Sequence, residues 1–352
     1  MLLSVLLTPL MSKLAHKVGA VSIPNHRSVH TKPMPLLGGL AIFLAFVLAY
    51  IIVSPGIVYN DKDHVALGLI LGGTIIALTG AIDDRFNLSP KLKLLGQLIA
   101  AGVAVSFGLE IDIVNIPFSD SLPINQGWIS VPITMFWIVG VTNAINLIDG
   151  LDGLSAGVSS ISAATIMAVA VLMPFSNPMV ILLCVLLIGS SLGFLFFNFH
   201  PAKIFMGDSG ALFLGYALSI LSIMGYKQAT IVSFVIPLLI LGVPISDTLL
   251  AIVRRKLNNK PISVADKGHL HHCLLDLGFS MRKTVLIIYG ISATFGLCAV
   301  LMTQKQNWIT VILVVVILFG LEIGAEFIGI LGKKKKPVIN LLQRAISAGR
   351  SK

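Results

Sequence analysis

The polarity pattern of the 352-residue chain is dominated by long uncharged runs. Pro33 to Asn60 contains no Asp, Glu, Lys or Arg, and neither does the longer stretch from Gly153 to Ala202. A helix needs about 20 apolar residues to cross a bilayer, so the second run has room for two spans. Pro174-Phe175-Ser176-Asn177-Pro178 supplies the turn between them. Breaking the chain at Gly, Pro and charge clusters predicts spans over 36–54, 65–82, 94–109, 128–145, 154–173, 178–197, 210–225, 231–253, 284–303 and 308–331. The apolar opening Met1–Met11 is too short to cross and has no basic segment ahead of it to make a signal peptide, so it reads as the end of a first helix whose start is missing. The expectation is an all-α, polytopic helical membrane protein with about 10–11 transmembrane helices. One integral membrane domain covers 1–331, and 332–352 form a basic tail. The period-2 alternation of a membrane barrel is absent.

Composition agrees with the pattern: 56% of residues are hydrophobic and 11% charged, against about 25% charged in an ordinary soluble domain. The net charge of +10 changes the picture only through its distribution. Of the 25 Lys and Arg residues, all but Lys62, Lys227 and Lys305 fall on one side of the predicted topology. The positive-inside rule puts that side in the cytoplasm, with the N-terminus outside and the C-terminus inside a plasma membrane. The excess charge is then a topology signal and an attraction to anionic membrane lipids, and a nucleic-acid partner is excluded. Cys184, Cys273 and Cys298 show no CxxC spacing, so neither a disulfide framework nor a zinc ribbon is readable.

Four loops on the predicted cytoplasmic side carry the polar residues. In AIDDRFNLSPKLKLLGQ, Asp83 and Asp84 are adjacent at a membrane boundary. There they repel unless a cation sits between them, which is either a magnesium- or phosphate-handling pair or a solvated helix end. In NAINLIDGLDGLSAG, Asp149 and Asp152 are three apart, as are Asn143 and Asn146, so each pair shares a helical face. Gly150 and Gly153 let backbone approach a bulky ligand. In NFHPAKIFMGDSGALFLG, Asp208 sits between Gly207 and Gly210 with Lys203 upstream, which suits a phosphate and its Mg²⁺ ion; helix packing is the other use of those glycines. No GxxxxGK[ST] phosphate loop occurs. In PISVADKGHLHHCLLDLG, His269, His271 and His272 lie close together. Without a second ligand cluster they suit hydrogen bonding or proton transfer near a diphosphate better than zinc. Together the loops describe one polar site over a membrane wall, as joining a charged nucleotide substrate to a lipid requires.

The strings AIDDRFNLSPKLKLLGQ, NAINLIDGLDGL, FNFHPAKIFMGDSGALFLG and DKGHLHH resemble the polyprenyl-phosphate N-acetylhexosamine-1-phosphate transferase family, most of all its Gram-positive members that start the teichoic-acid linkage unit. The resemblance implies transfer of GlcNAc-1-phosphate from UDP-GlcNAc to undecaprenyl phosphate, dependent on Mg²⁺ with Mn²⁺ as a substitute, and release of UMP. It assigns the metal to Asp208 and catalytic roles to Asp83, Asp84, Asp149, Asp152, His271 and His272. Asp83 would be the base or the anchor for the lipid phosphate. Substrate binding falls to Lys32, Asn143, Asn146, Gly150, Leu151, Asn198, Lys203, Phe205 and His269, with Phe205 stacking on uracil. The related MurNAc-pentapeptide transferases carry a contiguous His triplet and a TPTMGG-like string. This chain has HLHH and Met34-Pro35-Leu36-Leu37-Gly38-Gly39, which favours GlcNAc.

Direct attack by the lipid phosphate gives a ternary complex, while a covalent phospho-sugar on Asp83 gives ping-pong kinetics; a phosphate monoester dianion is already a competent nucleophile, which favours the former. A secondary transporter, the rival of another class, would carry ionisable groups near the midplane on repeated, broken helices. Glu322 and Glu326, four apart, read as structural pairing; Asp247, after Pro244, lines the site or caps a kink; and the tail from Lys333 lies on the anionic leaflet or simply stops transfer. A homodimer is compatible with the sequence.

Overall fold

The computed structural model describes residues 1–24, 33–53, 64–111, 127–173, 177–225, 231–259, 261, 268–304, 311–312, 314–317, 319–320, 324 and 326. In chain order the elements are α1 (Leu2–Val18), β1 (Val21–Ser22), β2 (Met34–Pro35), α2 (Gly38–Val53), α3 (Val65–Phe86), α4 (Pro90–Ser106), α5 (Gly127–Ile148), α6 (Leu154–Leu172), α7 (Pro178–Asn198), α8 (Gly207–Met224), α9 (Ile231–Ile240), α10 (Gly242–Leu257), α11 (Leu270–Asp276) and α12 (Met281–Gln304). Six of these, α3, α5, α6, α7, α8 and α12, are long and apolar enough to cross a membrane, and α2 is a shorter apolar helix. The chain is a polytopic helical membrane protein.

Helix α8 is the axis of the bundle. Every residue from Ser209 to Met224 is buried, and α3, α5, α2 and α6 pack around it. Small residues permit the contact: a Cβ at Gly39 of α2 would collide with the backbone of Gly210, and one at Gly80 of α3 with that of Ser209. The largest polar side chain of this interior is paired, as burial without a partner is costly. The Tyr216 hydroxyl donates to the carbonyls of Gly68 (3.0 Å) and Ala100 (3.2 Å).

Two predicted elements differ in extent. The first helix does not stop near Met11 but runs through Lys13 and Lys17 to Val18. What ends it is Gly19, in the left-handed region at φ 74°, where a residue without Cβ is favoured. The predicted span 231–253 is two helices, with the break at Leu241 between Pro237 and Pro244. Pro244 has no N–H to give the Ile240 carbonyl four residues back, and the Ser162 hydroxyl of α6 donates to that carbonyl instead, at 3.0 Å.

Helix ends then collect the motifs. Asn87, at φ 52°, closes α3, and Ser89 with Pro90 opens α4 immediately after it. The segment around β2 is stitched to the loop ahead of α8: Phe205 N–H donates to Pro35 O (2.9 Å), Gly38 N–H to Phe205 O (3.1 Å) and Gly39 N–H to Met206 O (2.8 Å). The carboxyl ends of α3, α5 and α7, the amino ends of α8 and α12, and α11 thereby line one cavity.

Candidate active site

The cavity measures about 750 Å³. One half of it is acidic. Asp83 and Asp84 end α3, Asn146 ends α5 and Asp208 begins α8. A single cation holds this cluster together: Lys93 Nζ lies 2.7 Å from Asp83 Oδ2 and 2.6 Å from Asp208 Oδ2. The other Asp83 oxygen accepts from Leu88 N–H at 2.6 Å, and the Asn146 amide donates to Asp208 Oδ1 at 3.1 Å. Asp84 does different work. Its two oxygens accept the N–H groups of Asp208 (2.7 Å) and Ser209 (3.1 Å), satisfying donors that the start of α8 leaves without partners. The approach explains Gly207, at φ 70°, where a Cβ would run into the Asp84 carboxylate and the Leu36 carbonyl.

The other half is built from the turn after α5 and the loop after α7. Leu151, Asp152, Asn198, His200 and Phe205 line it, with Met281 at the start of α12. Asn198 ties the two segments together, accepting from Gly153 N–H (3.0 Å) and donating to Ile204 O (2.9 Å). Asp152 Oδ2 is held by His200 Nδ1 at 2.8 Å and by Ala202 N–H at 3.1 Å. Between the halves stands Asp149. Burial pushes its carboxyl up to about 8, and the negative charges of Asp208, Asp84 and Asp152 add to the effect; it is mostly protonated at neutral pH and can donate a hydrogen bond.

Of the residues singled out from the sequence, Asp83, Asp84, Asn146, Asp149, Gly150, Leu151, Asp152, Asn198, Phe205, Asp208 and His272 line this one cavity. The others stand elsewhere. Asn143 shares a face with Asn146, but its amide is exchanged with that of buried Gln97 on α4, at 2.7 and 3.2 Å, so it joins two helices one turn below the cavity. Lys203 is exposed and is not among the lining residues. His269 and His271 are buried behind the wall. Burial, together with the neighbouring His272, lowers His271 to about 4, leaving a neutral imidazole at pH 7. Lys32 lies outside the described residues. Lys93, His200 and Asn87 were missed. Lys93 and His200 stand inside the quoted motifs, yet nothing in the string distinguishes Lys93 from Lys91; helix phase alone turns Lys93 toward the acids and leaves Lys91 exposed.

The donor chemistry suits a hard cation. Among the described residues no three His, Cys, Asp or Glu side chains converge to enclose a metal. What the site offers is two carboxylates, Asp208 and Asp83, already sharing one positive group. Mg²⁺ is commonly held in this way by one or two carboxylates, with phosphate oxygens and water completing its shell. In the histidine loop, His269 Nδ1 is bound to Asp247 and the His271 ring is packed against Gly150.

Residues 66–226 match the family model described as glycosyl transferase family 4. The chain is 45% identical over 98% of its length to a probable undecaprenyl-phosphate N-acetylglucosaminyl 1-phosphate transferase of Bacillus subtilis, covering 95% of that protein. It is 36% identical over 89% of its length to the decaprenyl-phosphate N-acetylglucosaminephosphotransferase of Mycobacterium leprae, covering 85% of it. A phospho-N-acetylmuramoyl-pentapeptide-transferase of Halalkalibacterium halodurans is 32% identical over 78% of this chain and 84% of its own.

Proposed function

This chain belongs to glycosyl transferase family 4 and is a glycosyl-1-phosphate transferase, and from that premise we propose that it moves GlcNAc-1-phosphate from UDP-GlcNAc onto undecaprenyl phosphate, giving undecaprenyl-diphospho-GlcNAc and UMP. The observation that carries the reading is the union, in one cavity at the helix ends, of an acidic cluster bridged by Lys93 with a pocket walled by Phe205 and Asp152. The names of the Bacillus and Mycobacterium relatives, both GlcNAc-phosphate transferases on polyprenyl phosphates, support the donor and the acceptor. In this reading the reaction is the first step of teichoic-acid linkage unit synthesis. In this reading the cavity faces the cytoplasm, where UDP-sugars are made, an orientation supported by the distribution of Lys and Arg.

Mg²⁺ would be held by Asp208 with Asp83 beside it, Mn²⁺ serving in its place, and when bound it neutralises charge on the diphosphate. The chain's own residues bind and orient. Phe205 stacks on uracil, and Asp152, immobilised by His200 and Ala202, addresses the polar edge of the base. Lys93 draws phosphate charge toward the acidic half, and Asp149, protonated, donates to a phosphate oxygen. An oxygen of the lipid phosphate attacks the phosphorus that bears the sugar; the new P–O bond forms as the bond to UMP breaks. Such transfers depend on positioning and charge neutralisation. Direct attack is supported by the engagement of both Asp83 oxygens, one by Leu88 N–H and one by Lys93, which leaves a poor nucleophile.

The test uses detergent-purified protein with undecaprenyl phosphate, Mg²⁺ and UDP-GlcNAc, and reads UMP and a lipid-extractable GlcNAc product. Use of UDP-MurNAc-pentapeptide in place of UDP-GlcNAc would overturn the sugar assignment. Steady UMP release without lipid would overturn direct attack.

A further inference from the structure

We infer that Asp247 and His269, a buried pair outside the cavity, are positioning residues of the transferase: they set where His271 and His272 stand at the nucleotide-sugar end of the site. The inference rests on the donor proposed above. Asp247 belongs to α10 and His269 immediately precedes α11. Asp247 Oδ2 is 2.8 Å from His269 Nδ1, and Asp247 Oδ1 accepts from Leu270 N–H at 2.8 Å. Both residues are almost sealed from solvent, 4% and 5% exposed, and neither lines the cavity. A carboxylate buried so deeply is costly unless its oxygens are occupied; here both are, by the two ends of one residue step in the histidine loop. The result is a clamp that fixes the start of α11 in position and rotation.

From the clamp a column of imidazoles leads to the cavity. The His269 and His271 rings are stacked, with centroids 5.9 Å apart and planes 7° from parallel, and His271 meets His272 at 4.2 Å. His271 abuts Gly150, which lines the cavity, and His272 lines it directly. A second contact from α10 supports the same loop. Arg254, two turns after Asp247 on the same face, packs where a Cβ at Gly268 would stand. Because His269 donates through Nδ1 to the carboxylate, its tautomer is set as well as its place. Movement at Asp247 is thus passed along the three rings within a buried, densely packed interior.

The experiment compares Asp247→Asn, Asp247→Glu, His269→Gln and the double variant Asp247→Asn/His269→Gln in the full-length enzyme. A misplacement of about 1 Å in a catalytic constellation costs about 100-fold. Asp247→Asn keeps the shape but can no longer hold the His269 proton in the same direction, so kcat/KM for UDP-GlcNAc is expected to fall by up to about 100-fold while KM for undecaprenyl phosphate stays unchanged. Asp247→Glu restores most of the loss. The double variant is no worse than either single one, because the pair acts as a unit. A role in folding alone would depress both substrates' parameters together, and that outcome overturns the inference, as does Asp247→Asn with wild-type kinetics. Should Asp247→Asn fail to fold, His269→Gln decides by the same comparison. Wild-type protein that uses UDP-MurNAc-pentapeptide and no UDP-GlcNAc refutes the donor instead, and the variants are then compared on that donor.

Discussion

Gly150→Ala tests the packing at the centre of the site with a single methyl group. Gly150 has no positive φ, so alanine meets no backbone strain there. The methyl would stand 2.5 Å from His271 Nε2 and 2.8 Å from Cε1, whereas an unstrained contact is about 3.5 Å; the ring must therefore retreat by roughly 1 Å. Its room to retreat is small, since His271 is 3% exposed and has the His269 ring at 5.9 Å and the His272 ring at 4.2 Å. The displacement is passed to α11 and so to His272 at the cavity wall. A misplacement of about 1 Å in a catalytic constellation costs about 100-fold, or roughly 2.7 kcal/mol in the barrier. Folding stability should fall by no more than about 1–2 kcal/mol, because Gly→Ala gains about 0.4–1 kcal/mol from the unfolded chain and offsets part of an overpacking cost of about 1–3 kcal/mol. The assay is kcat/KM for UDP-GlcNAc at saturating lipid, beside a melting curve in detergent. Gly140→Ala on α5, where a methyl meets nothing within 4 Å, is the control and should be as active as wild type. A folded Gly150→Ala enzyme within about threefold of wild type would refute the claim that His271 is held against Gly150 for function.

At the acidic cluster, Lys93→Met removes the cation shared by Asp83 and Asp208 and is expected to stop transfer while tightening Mg²⁺ binding in calorimetry, whereas Asp208→Asn loses both; unchanged Mg²⁺ affinity in Lys93→Met would show that the ammonium does not compete with the metal. Asp149, raised to about 8 in the folded protein from about 3.9 when unfolded, binds a proton in the native state that the unfolded chain releases. Its contribution to stability is therefore present below about pH 4 and lost as pH rises toward 8. Melting curves without Mg²⁺ should accordingly show Asp149→Asn gaining on wild type between pH 5 and pH 8, and parallel curves would contradict the raised carboxyl. For topology, a cysteine at exposed Lys256, in a background lacking Cys184, Cys273 and Cys298, should be shielded from an impermeant thiol reagent in intact cells. A cysteine at exposed Ser106, the far end of α4, should react, and the reverse pattern would put the site outside.

Membrane class and the approximate extent of the helices were legible because hydrocarbon imposes a nearly one-dimensional code: a charge-free run of sufficient length has few alternatives to a spanning helix. The motif strings likewise marked the residues that meet in the cavity, since Asp, Asn and Gly beside an apolar span are costly without a task. Sequence could not assign those residues their separate tasks. Asp83 and Asp84 are neighbours in the chain, yet helix phase sends one to Lys93 and the other to the backbone at the start of α8. Asn143 and Asn146 share a face, yet one turn of height separates a helix-joining amide from a cavity residue. The break in the predicted span 231–253 depended on a hydroxyl from α6 reaching the Ile240 carbonyl that Pro244 leaves free, a partner 78 residues away in the chain. Hydrophobicity and local motif chemistry act over neighbouring residues and can be read along the string. Which oxygen meets which donor depends on helix rotation and crossing, which only the packed bundle around α8 decides.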